Sequence, residues 1–359
     1  MGGCSPFSGP QPPASPPPLA RRFETNPLIT LTSSPSLGDN INGPAVIRVP
    51  PWIKNPLGRY YLYFSHHRGE FIRMAYADDL KGPWSIYEPG VLNVQDTAFF
   101  RPRPERSVPG EGMYTHVASP DVVVDESTHE IQLWYHGWWT DGQPWPEDPE
   151  TARPWATQHH YEQYTQVAVS GDGLHFVPRD GLTEASYLRI FHHQGRDYAL
   201  GRGGDLLRAE EQGKPLVKGP NPFDGSPHAG RIRHGAVLKY PELLRIFYSV
   251  VGDTPERIWM ADLPLVGDWT RWRTLAPVEI LRPQTPWECT HLPVTPSTIG
   301  PPPGAVQQLR DPAVLEDQGK TYLFYTFCGE RGIAGADLTL PPPPGIPPSP
   351  PPPTPAPPG

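Results

Sequence analysis

The 359-residue chain carries 38 Asp and Glu against 30 Lys and Arg, a net charge of −8. That balance argues against the clustered basic surface that nucleic acid or an anionic membrane requires. No run approaches the roughly 18 apolar residues needed to span a bilayer. The start lacks the apolar segment of a secretory signal, so the expectation is a soluble, cytoplasmic protein. Three cysteines, Cys4, Cys289 and Cys328, allow at most one disulfide.

The 53 prolines are unevenly spread, and 20 of them fall in residues 1–22 and 341–359. Residues 1–22 and 341–359 are proline tracts that cannot feed a core, and both are read as disordered or polyproline-II tails. The opening "MGGCSP" starts like an acylation signal, but Pro6 stands where Ser or Thr is needed. Residues 23–340 remain as the folded unit.

Within that unit helical periodicity is nearly absent. Short β-branched and aromatic runs bounded by Gly, Pro and Asp predict strands instead. "PLITLTSS" (27–34) is a lone strand. Residues 43–80 give an Ala-Val-apolar strand, a turn, the aromatic strand "YYLYFS" and a strand ending in "AYADDL", with "WSIYEPG" as a fourth. Residues 119–176 repeat this order as "SPDVVVD", "EIQLWYHG" and "YTQVAVSGDGLHF", interrupted by a long Trp-rich insertion (134–155). A degenerate copy, "ASYLRIFHHQGRDYALGRGGDLLRAE", covers 185–210. The pattern is clear again at 234–263, followed by "WTRWRTLAP" as an outer strand, and clearest at 311–338, "DPAVLEDQGKTYLFYTFCGERGIAGADL".

Five copies of a three-to-four-strand antiparallel unit predict an all-β fold, a five-bladed β-propeller. The last unit lacks a fourth strand, and residues 27–34 lack a partner. The N-terminal strand is therefore expected to close the ring as the outer strand of blade five, removing an exposed edge.

The stretches "NGPAVIRVP", "YYLYFSHH", "IRMAYADDL", "ASPDVVVD" and "LRDPAVLEDQGKTYLFYT" resemble the five-bladed glycoside hydrolase propellers, the arabinanase, xylosidase, invertase and levansucrase group (families 43 and 32). The resemblance spans about 42 to 338. It implies a funnel-shaped sugar site at one end of the axis. It also implies acidic residues at the starts of innermost strands and a separate general-acid Glu.

Blade topology says which residues face that funnel. If each innermost strand starts at the mouth and runs away from it, the second strand returns. Strand-one starts, strand-two ends and inter-blade loops then share one face. The mouth collects Asn42, His66 and His67 from blade one, and His116, Asp121, His136 and Trp138 from blade two. Blade four adds His234, the loop before blade five adds Trp287 and Glu288, and blade five adds Arg310, Asp311 and Glu330. His192 and His193 fall on the far face.

Carboxylates, imidazoles and indoles together form the chemistry of a sugar site: acid and base groups, hydroxyl partners, and aromatic faces for a pyranose ring. Asp311 and Asp121 are candidates for base or charge modulator, and Glu330 and Glu288 for acid. Asn42, His67, His116, His136, Trp138, His234, Arg310 and Trp287 are candidates for substrate binding. No short ligand spacing demands a metal, and no cofactor is expected. The partner expected is an oligosaccharide, a polysaccharide or a small glycoside.

Blade one departs from the family pattern. It begins "INGPAV", with Asn42 and Gly43 where the hydrolases carry an acid, and Asn cannot gain a proton near neutral pH. Three alternatives stay open: a glycosidase with its pair on other blades, a phosphorylase holding phosphate with Arg233, His234 and Arg310, or a non-catalytic sugar-binding propeller.

Overall fold

The computed structural model describes residues 19–100, 115–139, 162–211 and 213–342. Most of both proline tracts and residues 140–155 of the Trp-rich insertion lie outside the described residues. Strands and short 3-10 turns make up the regular structure among the described residues, with no α-helix. Two short strands come first, β1 (Ala20–Arg22) and β2 (Ile29–Thr30).

Five antiparallel sheets form the five blades of a propeller. Blade one holds β3 (Asn42–Arg48), β4 (Tyr60–Ser65), β5 (Phe71–Ala77) and β6 (Ser85–Asn93). Blade two holds β7 (Ala118–Asp125), β8 (Glu130–Trp139), β9 (Glu162–Ser170) and β10 (Val177–Pro178). Blade three is β11 (Arg189–His193), β12 (Arg196–Leu200), β13 (Leu206–Ala209) and β14 (Leu216–Lys218). Blade four is β15 (Ile232–Tyr240), β16 (Leu243–Val250), β17 (Ile258–Pro264) and β18 (Val278–Leu281). Blade five is β19 (Arg310–Asp317), β20 (Lys320–Thr326) and β21 (Gly332–Leu338).

The outer side of β21 carries the N-terminal segment. Ala20–Arg22 pairs with residues 336–338, and Ile29–Thr30 pairs with Ile333 and Gly332. β1 lies in the stretch that the sequence assigns to the tail. Blade four differs from expectation. Its outer strand is Val278–Leu281, while the expected strand at 269–277 is a 3-10 turn, Trp269–Arg271, capped by the Asp268 side chain accepting from the Thr270 amide. Asp before a turn satisfies those amides locally and so competes with strand pairing.

Burial explains why the second strands read as unbroken apolar runs. Every residue of β4 and of β16 is buried, because each central strand has a neighbouring blade on either face. The core accordingly divides into clusters between successive blades. Phe64, Val46 and Leu62 of blade one meet Phe324 and Ile333 of blade five, and Phe247 and Met260 of blade four meet Leu323 and Tyr325. The repeated Ala-Asp-Leu ending has a structural use. Asp262 takes a two-pronged ion pair (2.7 and 2.8 Å) from Arg245, its cross-strand partner in the buried centre of β16.

One irregularity recurs and sets the axis. In β19, Arg310 pairs with Thr326 and Ala313 with Phe324, three steps on the inner strand against two on its partner. β3, β7 and β15 carry the same one-residue bulge at the same place. Before β11, Ser186 O accepts from Arg202 N, while Arg189 pairs with Leu200, which repeats the offset. In four blades the bulged residue is left-handed: Gly43 (φ 59°), Ser119 (47°), Tyr187 (59°) and Asp311 (48°). Such bulges re-aim a side chain out of the pleat.

Candidate active site

Asp311 is the acidic member of this axial set and is fully buried. His234 Nδ1 donates to its Oδ1. Thr326 Oγ1 donates to its Oδ2 at 3.2 Å, and the Gly43 amide reaches the same oxygen at 3.4 Å. Burial pushes the carboxyl up, but the His234 ring and its hydrogen bond, with Arg310 nearby, outweigh it and hold Asp311 below the ordinary value. His234 is also held below its ordinary value, by burial working against the attraction of Asp311. The pair is therefore carboxylate and neutral imidazole near neutral pH. With Nδ1–H committed to Asp311, Nε2 carries the lone pair.

Glu330 closes a second buried network. Arg310 Nη1 donates to its Oε1 at 2.9 Å, Asn40 Nδ2 donates to its Oε2 at 2.8 Å, and His67 Nδ1 stands 3.5 Å from Oε2. Burial raises its pKa, but His67, Arg310 and Asn40 together pull it well below the ordinary range. Arg310 also pairs with Glu256 at 3.0 Å, and Glu256 takes Arg233 Nε at 2.7 Å. Gln308 and the Gly300 carbonyl accept the remaining Arg310 donors. The chain Arg233–Glu256–Arg310–Glu330 runs from blade four into blade five, and Asn40 and His67 carry it on to blade one. Backbone bonds follow the same route: Glu256 O accepts from Leu309 N, and Glu330 O from Ile41 N.

Blade one contributes polar groups without an acid. Ser65 Oγ donates to Asn42 Oδ1 at 2.5 Å, and Asn42 Nδ2 lies 3.2 Å from His67 Nδ1. The blade-one departure has a steric cause. A Cβ on Gly43 would sit 2.7 Å from Ser119 Cα, so blades one and two approach too closely for an acid there. From blade two, His116 and His136 are buried with ring centroids 5.8 Å apart, and Trp138 lies 6.2 Å from His116. Neither ring nitrogen of His136 has a hydrogen-bond partner among the described residues. Burial first, then the neighbouring imidazoles, push its pKa well down.

Tyr187 joins this group and was not singled out from sequence. Its ring lies 4.2 Å from His136 and 4.0 Å from His234, centroid to centroid. Burial raises its phenol to about 12. The one signal that could have found it is alignment of "SYL" with "RDP" at the strand-one start.

Three expected residues sit apart from the Asp311 group. Asp121 lies two positions beyond the left-handed Ser119, where its carboxylate accepts from the Ile190 amide (3.1 Å) and faces Arg189 (3.7 Å) at the junction with blade three. Burial raises its pKa despite Arg189. Glu288 is buried at the end of a 3-10 turn, Pro286–Glu288. It takes Arg22 in two-pronged fashion (2.8 Å each), the amides of Gln284 and Thr285, and the Tyr325 hydroxyl. Trp287 packs edge-on against Phe327 at 5.2 Å. On the far face, His193 Nε2 bonds Leu265 O and His192 pairs with Asp197. Cys289 and Cys328 form a disulfide.

This five-bladed fold recurs in solved structures of glycoside hydrolases. Solved structures sharing it include a GH43 β-xylosidase/α-arabinofuranosidase from a compost microbial metagenome, TM-score 0.54 and 14% identity over 89% of this chain and 95% of that one. An α-L-arabinofuranosidase from Lactobacillus brevis gives 0.51 and 12% over 88% and 92%. A GH43_1 enzyme from Xanthomonas citri gives 0.52 and 12% over 90% and 91%. No protein-family model matches the chain. The chain belongs to the same family as "Uncharacterized protein R118" of Acanthamoeba polyphaga mimivirus, 34% identical over 340 residues, 88% of this chain and 89% of that one. Among the described residues, no helix is long and apolar enough to cross a membrane, and no cluster of three His, Cys, Asp or Glu suits a metal ion.

Proposed function

We propose that the protein is a carbohydrate-active enzyme, a glycoside hydrolase working at the axial ends of its inner strands. The observation that carries this reading is Asp311, a buried carboxylate in a left-handed bulge with its oxygen held by His234. A glycosidase needs one ionised and one protonated group, and environments that push two acids apart assign them. Asp311 takes the ionised role, as the base that activates water with His234 orienting it. Asp121, raised by burial but set at the blade-three junction beside Arg189, is the candidate for the protonated role that the Asp121→Asn variant tests. Glu330 is an ionised partner of Arg310 and supplies field and position rather than a proton.

The substrate is a neutral glycoside whose hydroxyls meet Asn42, His67, His116 and His136, with Trp138 as a wall. Hydrolysis is favoured over phosphorolysis. Arg233 and Arg310 are already neutralised by Glu256 and Glu330, which leaves neither free for phosphate.

The test is an assay of wild type, Asp311→Asn and Asp121→Asn on a panel of aryl glycosides, with and without phosphate. Cleavage by wild type that needs no phosphate and is lost in Asp311→Asn supports the reading. Wild type inert on the whole panel yet binding sugars makes the protein a binding propeller.

A further inference from the structure

We infer that Tyr187 is a further substrate-contacting residue, the blade-three counterpart of Asp311, which donates a hydrogen bond from its phenol to a sugar oxygen. The inference rests on the sugar-active reading above and extends it to blade three. The register is the first argument. Ser186 bonds Arg202 and Arg189 pairs with Leu200, so Tyr187 occupies the bulged position that Asp311 occupies in blade five.

Backbone conformation is the second argument. Tyr187 is left-handed at φ 59°, a costly state for a large aromatic residue, and one that persists where the surroundings over-determine it and often where function needs it. Gly43 and Ser119 hold the same conformation with small side chains, which leaves Tyr187 and Asp311 as the two left-handed residues projecting sizeable functional groups there.

Neighbours and chemistry complete the case. The ring bridges His136 and His234, and His234 is bonded to Asp311, so the phenol stands one residue from the candidate base. Tyr187 is only partly buried, whereas both imidazoles are buried, so it is the ring that meets what enters. Its hydroxyl has no hydrogen bond to protein among the described residues. Burial keeps it protonated at any working pH, hence a donor. The unpartnered ring nitrogens of His136 beside it mark the same spot as incomplete without a polar ligand. The ligand that fits is a sugar whose hydroxyls can meet the phenol and the neutral imidazoles.

The experiment compares wild type and Tyr187→Phe on the aryl glycoside that wild type cleaves best, with thermal melting of both. The expected result is a loss of about 10-fold or more in kcat/KM with an unchanged melting temperature, because only one hydroxyl has gone. Wild-type kcat/KM in Tyr187→Phe overturns the inference while leaving the glycosidase reading standing. If wild type cleaves nothing, calorimetric titration with free monosaccharides replaces the assay. Weaker sugar binding in Tyr187→Phe then supports the contact, equal binding overturns it, and no sugar binding by wild type overturns both readings.

Discussion

His234 and Asp311, 77 residues apart in sequence, share a hydrogen bond across the junction of blades four and five. Each group fixes the state of the other: the carboxylate holds the imidazole in one tautomer, and the imidazole keeps the buried carboxyl ionised. Asp311→Asn keeps the shape and removes the charge. It is expected to lower kcat about 10²- to 10⁴-fold, the usual contribution of a positioned base. Circular dichroism should show the fold intact, and kcat within a few-fold of wild type would remove Asp311 from the mechanism.

His136 makes stability depend on pH. Its folded pKa lies well below the ordinary 6.5, so below pH 6.5 the unfolded chain binds a proton that the native protein refuses. Stability is therefore lost as pH falls from 6.5 toward the folded pKa, at up to about 1.4 kcal/mol per pH unit for this group. Urea unfolding of wild type and His136→Asn between pH 7 and 5 should show a shallower slope in the variant. Parallel slopes would mean that His136 titrates normally.

Glu256 is the centre of the inter-blade network, facing Arg233 and Arg310. Glu256→Gln leaves two buried guanidinium groups short of a counter-charge. Breaking such a pair costs about 3–5 kcal/mol. Chemical denaturation should show a loss of that order, and a loss under 1 kcal/mol would mean that water replaces the carboxylate.

The Cys289–Cys328 bridge spans 39 residues and joins the loop before blade five to the end of its second strand. In the chain-entropy treatment a loop of that length is worth about 4 kcal/mol. The Cys289→Ser, Cys328→Ser double variant should melt well below wild type, and excess reductant should lower the wild-type melting temperature toward the variant's. Identical melting of oxidised wild type and the variant would show that the bridge contributes nothing to stability.

Much of the fold was legible because propeller blades write themselves locally. The turn in "LEDQGKTY" and the aromatic strand after it fix a hairpin whatever else the chain does. The misplaced outer strand of blade four shows the limit. "WTRWRTLAP" has strand-like composition, yet Asp268 caps a turn there and pairing passes to Val278–Leu281. Part of the candidate site was legible at strand starts and strand returns: Asp311 and His234 share a hydrogen bond, and Glu330 and His67 share a neighbouring network. Glu288 looked equivalent but is consumed by Arg22, 266 residues away, a partner no local pattern reveals.

By itself the sequence determined the repeat, the hairpin at the heart of each blade and a set of candidate residues for the axial end. These depend on side-chain alternation and turn chemistry over a few residues. The tertiary structure alone decided which of those residues are ionised and which are spent on packing. Arg310 neutralises Glu256 and Glu330, Ser119 excludes an acid at Gly43, and a single bulge offset puts Tyr187 where Asp311 stands in blade five. Charge state and steric room at the axis are set by neighbours from other blades, and the closing of the ring is what brings those neighbours within hydrogen-bonding distance.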